Sequence, residues 1–242
     1  MPEGPSIVIL KEKVQAFAGR KIISAHGNAK IDFERLQGKT IRGFKSWGKH
    51  FLICFDGFFI RIHLLMFGTY RINERRDKPP RLAMEFENGE LNFYTAQVRL
   101  VEGGPDDIYD WTADVMNPEW SARKAVKKIK FAPVMACDAL MDQEIFSGVG
   151  NIIKNEILYR CRIHPESSTD KIPAARLRGL ITEAVRYSFE FHDWKLAGTL
   201  KKHWKIYNKK RCERCDLPVH KKVTGVRKRR SFFCTNCQKL YL

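Results

Sequence analysis

No stretch of this 242-residue chain approaches the ~18 consecutive apolar residues that a membrane-crossing helix needs. The first residues show no basic segment followed by a long apolar core, which predicts no secretory signal. No basic amphipathic helix dominates the chain, so attachment to a membrane surface is not expected either. Acidic residues are scarce, with 27 Asp and Glu against 44 Lys and Arg and a formal net charge of +17. The shortage is sharpest over residues 201–242, where only Glu213 and Asp216 stand among 14 Lys and Arg, so that segment carries +12 of the total. A field of this sign gathers polyanions and releases their counterions, so nucleic acid is the expected partner.

Seven cysteines could signal a disulfide framework, but four of them form two CxxC pairs, Cys212/Cys215 and Cys234/Cys237, separated by 18 residues. Each CxxC knuckle presents two thiolates at one corner, and two knuckles suit one tetrahedral zinc ion of structural type. His220 lies in the spacer and competes as a ligand, with a surface or partner-facing position as the other reading. Cys54, Cys137 and Cys161 stand alone in apolar or helical surroundings and read as buried free thiols. A reducing compartment follows, the cytoplasm or a nucleoid within it.

The chain opens Met1-Pro2-Glu3-Gly4-Pro5. If Met1 is removed, Pro2 carries a free secondary amine able to attack an aldehyde-like carbon and form an iminium, with the Glu3 carboxyl placed to move protons. With Met1 retained, the same nitrogen is an amide and cannot attack. A loose Pro/Gly-rich end is the competing reading.

Ile7, Leu10, Val14 and Phe17 recur at helical spacing and predict a short amphipathic helix over 5–17. From about 20 to 105 the pattern is that of strands. Asp56-Gly57 and Asn88-Gly89 sit between alternating apolar runs and predict hairpins. A β-rich domain follows, a sandwich or flattened barrel, joined to the rest by a connector over 105–121. From 122 to 200 the spacing is helical. A helix near 138–145 leads into Phe146-Ser147-Gly148-Val149-Gly150-Asn151 and a further helix over 152–159, and another opens at Ile172-Pro173. Glycines before a helix start leave N–H groups at the positive end of its dipole, which suits a phosphate, although an ordinary tight turn is equally consistent. The expected domains are 1–120, 121–205 and 206–242, an α+β multidomain chain. Between the cysteine pairs, Val226–Phe233 is a basic run ending in aromatics. A DNA-facing hairpin, a solvated face and a nuclear-import signal all fit it.

The Pro-Glu-Gly-Pro start, the Gly-Val-Gly-Asn turn and the four-cysteine finger, in this order, resemble the formamidopyrimidine-DNA glycosylase/endonuclease VIII family of base-excision repair enzymes across essentially the whole chain. The resemblance implies an N-terminal β-sandwich with a leading helix, a helix–two-turns–helix domain and a C-terminal zinc-ribbon hairpin. It implies a monomer acting on damaged duplex DNA, with no small-molecule cofactor and one structural zinc. It makes Pro2 the nucleophile, Glu3 the general acid/base at the sugar ring oxygen, and Lys49 a phosphate-holding lysine that assists proton transfer. Asn151 would bind a backbone phosphate with Gly150 allowing close approach, and Arg229 would be the finger's phosphate clamp. Glu156 would line the pocket, and Leu65, Met66 and Phe67 would fill the void left by an extruded base, packing in the β core being their other reading.

Ser6 departs from the family, which usually has a second Glu there. Thr95–Leu100 departs from the Asp-x-Arg-x-Phe-Gly-like stretch of the purine-directed branch. The endonuclease VIII side is therefore favoured: a bifunctional glycosylase/AP lyase for oxidised pyrimidines, cleaving by β,δ-elimination. A non-catalytic DNA-binding protein and a purine-directed glycosylase are the alternatives.

Overall fold

The computed structural model describes residues 2–242; Met1, and with it the question of its removal, lies outside them. The fold is mixed α+β, and its chain contacts divide at Tyr109/Asp110 into two compact units. The division falls inside the expected connector, so residues 110–120 pack with the helices that follow. The C-terminal hairpin belongs to that same second unit.

In the first unit, α1 (Gly4–Lys13) starts with Pro5 in its first turn, where a missing N–H costs nothing. The expected helix is shorter than its apolar spacing suggested, because Gln15–Phe17 tightens into a 3-10 turn. Six strands form one antiparallel sheet: β1 (Ser24–His26), β2 (Gly43–Trp47), β3 (His50–Cys54), β4 (Phe58–Ile72), β5 (Leu82–Phe86) and β6 (Gly89–Glu102), in the order β1-β5-β6-β4-β3-β2. The strands expected of a sandwich thus all belong to one continuous sheet. Phe51 of β3 and Phe93 of β6 are not on neighbouring strands, yet their rings meet at 5.8 Å, so the sheet curls over a single apolar core. The Asn-Gly hairpin is shifted by one residue from expectation. Phe86 pairs with Gly89, so Glu87 and Asn88 form the turn. Helix α1 packs on β2 and β3.

The second unit holds α2 (Ala122–Phe131), α3 (Ala136–Met141), α4 (Asn151–Arg160), α5 (Ala174–Leu196) and the hairpin β7 (His220–Thr224)–β8 (Arg229–Phe233). Helix α3 ends earlier than expected, at Met141. Asp142 then caps the following turn, accepting from Glu144 N at 2.9 Å. Helix α5 begins directly after Pro173 and turns Leu177, Leu180, Ile181 and Ala184 into the core. A smaller apolar cluster joins Tyr159, Ile206 and Phe232 to the cysteines.

Candidate functional site

In the first unit, Glu3 has extended backbone and stands at the N-cap position of α1. It is fully buried while Pro2 is half-buried, and its carbonyl accepts from Ser6 N at 2.8 Å. Ser6 is also buried, and its hydroxyl has no hydrogen-bond partner among the described residues. Lys49 lies at the tip of the β2–β3 hairpin, whose two-residue turn uses Gly48 at φ +53°. Because α1 packs on these two strands, the chain start and the Lys49 hairpin belong to one packed substructure. His50 supports the hairpin from below, with Nδ1 3.1 Å from the Tyr109 hydroxyl and its ring edge-on to His63 at 5.4 Å. Burial pushes the His50 pKa down to about 4, aided by the charges of His63, Arg61 and Lys49. Burial also lowers that of His63, so both rings are neutral near pH 7 beside the Lys49 ammonium.

Leu65, Met66 and Phe67 are not packed in the β core. The β4–β6 ladder breaks between Leu64/Ala96 and Thr69/Tyr94, so four residues on one strand oppose the single residue Thr95 on the other. This bulge turns the three side chains outward, with Phe67 81 % exposed. Phe67 at φ +67° and Thr95 at φ +51° carry the distortion. Gly68 makes it possible, since a Cβ there would come within 2.7 Å of Leu65 N and Thr95 O. Residues 95–100 lie within β6, where Gln97 pairs with His63.

In the second unit, Gly150 is the N-cap of α4 and Asn151 its first residue. The Asn151 Nδ2 donates to the Arg230 carbonyl at 3.1 Å, so one of its two amide hydrogens is committed to β8. Lys154 and Asn155 repeat this on the same helical face. Lys154 Nζ donates to Ser231 Oγ at 2.9 Å and Arg230 O at 3.3 Å, and Asn155 Oδ1 accepts from Phe232 N at 2.8 Å. From α3, the buried Asp138 carboxylate accepts from Val226 N (3.0 Å) and Arg227 N (3.2 Å) at the tip of the hairpin. The hairpin is thereby held at both ends, leaving Arg229 exposed with no carboxylate in ion-pair reach among the described residues. Strict alternation of faces along this strand does not hold. Arg229 and Arg230 are both exposed, and Ser231, Phe232 and Phe233 are all buried.

Glu156 requires a correction. Rather than lining a pocket it is completely buried, and its carboxylate accepts three consecutive backbone N–H groups, those of Lys205 (2.9 Å), Ile206 (3.0 Å) and Tyr207 (2.7 Å). A charge on an apolar helix face survives only when paired in this way, and here the partner is the chain leading into the finger. Asp138, Lys154 and Asn155 escaped sequence reasoning. For Lys154 and Asn155 the available signal was polar residues at i+3 and i+4 from Asn151, on the same face of α4.

The four cysteine sulfurs lie within 4.8 Å of one another. Four sulfurs held ~2.3 Å from a tetrahedral centre stand ~3.8 Å apart, and Cys212 and Cys237 Sγ are 3.7 Å apart. Donor type and spacing therefore fit a thiolate-bound metal ion. His220 is outside this group; its ring stacks on Phe233 at 5.6 Å.

The chain matches the formamidopyrimidine-DNA glycosylase N-terminal domain over residues 1–100 and the formamidopyrimidine-DNA glycosylase H2TH domain over residues 113–187. Endonuclease 8-like 3 of Mus musculus is 31 % identical over 216 residues, covering 84 % of this chain and 35 % of its own length. Formamidopyrimidine-DNA glycosylase of Lactococcus lactis subsp. cremoris is 28 % identical over 282 aligned positions, covering 99 % of this chain and 100 % of its own. The chain thus spans about a third of the endonuclease 8-like 3 relative and the whole of the bacterial one. Among solved structures, Lactococcus lactis formamidopyrimidine-DNA glycosylase non-covalently bound to DNA containing an AP site superposes with a TM-score of 0.85 at 24 % identity, over 98 % of this chain and 99 % of that one. A viral DNA glycosylase gives 0.82 at 23 %, over 98 % and 100 %. Likeness at this identity establishes the fold.

Proposed function

Since the chain belongs to the formamidopyrimidine-DNA glycosylase/endonuclease VIII family, we propose that it is a bifunctional DNA glycosylase/AP lyase of base excision repair, acting on oxidised pyrimidines in duplex DNA. The observation that carries this reading is the fully buried Glu3 next to Pro2, at the head of a helix packed on the Lys49 hairpin. A nucleophile needs its proton partner in a dry, fixed position, and a buried carboxyl at a helix start provides one.

In this mechanism Pro2, freed of Met1, attacks C1′ of the damaged nucleotide. The C1′–N bond breaks and the base leaves with the bonding pair and a proton. Glu3 in its protonated form donates to O4′ as the sugar ring opens, leaving a C1′ iminium on Pro2. The iminium's positive charge acidifies the C2′ hydrogen; its loss as a proton expels the 3′ phosphate, and a second elimination expels the 5′ phosphate. Water then hydrolyses the iminium and returns the Pro2 amine. Lys49 holds a phosphate beside the lesion. The second amide hydrogen of Asn151 and the exposed Arg229 clamp the backbone, contacts that fix position without reading sequence. Leu65, Met66 and Phe67, already exposed on their bulge, would enter the stack where the base has left it. Cys212, Cys215, Cys234 and Cys237 would hold a zinc ion through four thiolates, which would cross-link the two knuckles and serve structure in place of catalysis.

The pyrimidine preference rests on Thr95–Leu100, which lacks the purine-directed pattern. The expected domain limits 1–120, 121–205 and 206–242 are retained as functional segments on the same footing. Borohydride reduction on thymine-glycol and 8-oxoguanine duplexes, with intact-mass analysis, tests the whole reading. A covalent adduct at Pro2 on the thymine-glycol strand is the expected result. An adduct only with 8-oxoguanine would reverse the lesion class. No adduct from protein with a free Pro2 amine would favour a non-catalytic DNA-binding protein, with Ser6 in place of the usual Glu as its cause.

A further inference from the structure

We propose that the Tyr159 hydroxyl is an outer-sphere hydrogen-bond donor to the metal-binding thiolate of Cys212, making the last turn of α4 part of the metal site. This inference rests on the four-cysteine metal reading and is independent of the repair chemistry. Tyr159 is buried, and its hydroxyl oxygen is 3.6 Å from Cys212 Sγ. Either atom of an uncharged pair could donate, but a metal-bound cysteine has lost its hydrogen. The only hydrogen between these two atoms is then the tyrosine's, and the sulfur must accept it.

The ring is fixed for this task from the other side. Arg214, inside the first CxxC knuckle, lays its guanidinium over the Tyr159 ring at 3.7 Å from the centroid. Its Nη2 also donates to the Tyr159 carbonyl at 2.7 Å. The knuckle therefore grips the residue whose hydroxyl serves its own cysteine. Cys215 has a donor too, Asn236 Nδ2 at 3.2 Å, but that residue is exposed and lies in the finger itself. Cys212 is buried, so its donor acts where water does not compete. Such a bond spreads the thiolate charge and aims the sulfur lone pair. Loss of outer-shell partners of this kind typically weakens metal binding ~10–100-fold.

Tyr159→Phe keeps the ring and its stacking on Arg214 and deletes only the donor. In the full chain loaded with zinc, transfer of the metal to a chromophoric chelator should be about tenfold faster than from the wild type. Tyr70→Phe, a hydroxyl deletion in β4 of the other unit, should leave the rate unchanged. In cobalt(II)-loaded protein, Tyr159→Phe should move the thiolate-to-cobalt charge-transfer band to lower energy, since a sulfur without its hydrogen bond gives up electrons more easily. Faster release with an unmoved band would reduce Tyr159 to packing and overturn the proposal, as would wild-type release. Failure of the wild-type chain to bind one zinc or cobalt per molecule would overturn the metal reading beneath it.

Discussion

Glu156→Gln separates a structural carboxylate from a pocket carboxylate with almost no change in volume. In the native chain Oε1 accepts two backbone N–H groups and Oε2 one. Glutamine can keep the pair at Ile206 and Tyr207 on its carbonyl oxygen, but its NH₂ then faces the Lys205 N–H, donor against donor. Two polar groups lose their partners, the side-chain amide in a fully buried position and the Lys205 N–H in a partly buried one, each at a cost of ~1–3 kcal/mol. A net destabilisation of about 3 kcal/mol follows. For a unit of this size it corresponds to a fall of roughly 10 °C in Tm. Urea unfolding of the zinc-saturated chain, followed by tryptophan emission, is a direct assay because Trp111, Trp120, Trp194 and Trp204 lie in the second unit and only Trp47 in the first. The midpoint should fall with the slope unchanged. A loss below ~0.5 kcal/mol, within the range of ordinary surface substitutions, would refute the argument. If strand scission were lost at the same time, the pocket role would return.

Gly68→Ala should destabilise the first unit by about 2 kcal/mol and loosen the bulge, because the new Cβ meets backbone atoms that have no rotamer to escape into. Hydrogen exchange across 64–69 and 95–100 would show it, and native-like protection would count against it. The unfolded chain protonates His50 near pH 6.5 while the folded chain resists until about 4. Stability is then complete above pH 6.5 and is lost as pH falls toward 4, by up to about 3 kcal/mol at ~1.4 kcal/mol per pKa unit. Urea midpoints at pH 7.5 and 4.5 test this, and His50→Gln should flatten the difference. Arg229→Ala should weaken DNA binding for every sequence and make the log–log salt slope shallower by about 0.9, the share of one phosphate. A change in lesion choice at unchanged affinity would contradict a backbone contact.

What could be read from the sequence was local. The CxxC pairs, the Gly-rich turn before Asn151 and the Pro-Glu start are short motifs in which chemistry and spacing sit within a few residues of each other. The start of α5 beside Ile172-Pro173 was legible because proline at a helix opening is itself a local signal. Long-range pairing was not legible. Nothing in the neighbourhood of Glu156 announces that residues 205–207 will supply its hydrogens, and its pocket role is only what the family resemblance implies. The same holds for Asp138, whose partners are 88 and 89 residues away. The outward turn of Leu65, Met66 and Phe67 depended on a register break that a run of apolar residues does not encode. Even the Asn88-Gly89 hairpin slipped by one residue, since turn propensity specifies a neighbourhood and the ladder selects the register.

Helix α4 fastens the C-terminal segment at three heights: Asn151, Lys154 and Asn155 on β8, Glu156 on 205–207, and Tyr159 with Arg214 at the first knuckle. The finger is therefore not a detachable module. Cutting the chain before Lys205 would take the Arg230 and Ser231 acceptors from the buried Lys154 ammonium, the Phe232 N–H from the buried Asn155 amide, and all three N–H donors from the buried Glu156 carboxylate. A chimera that imported a foreign finger would inherit the same three debts unless Asp138 and the Asn151–Tyr159 face travelled with it. For this protein the smallest exchangeable piece is helix and finger together, and variation in one should be tolerated only when matched in the other.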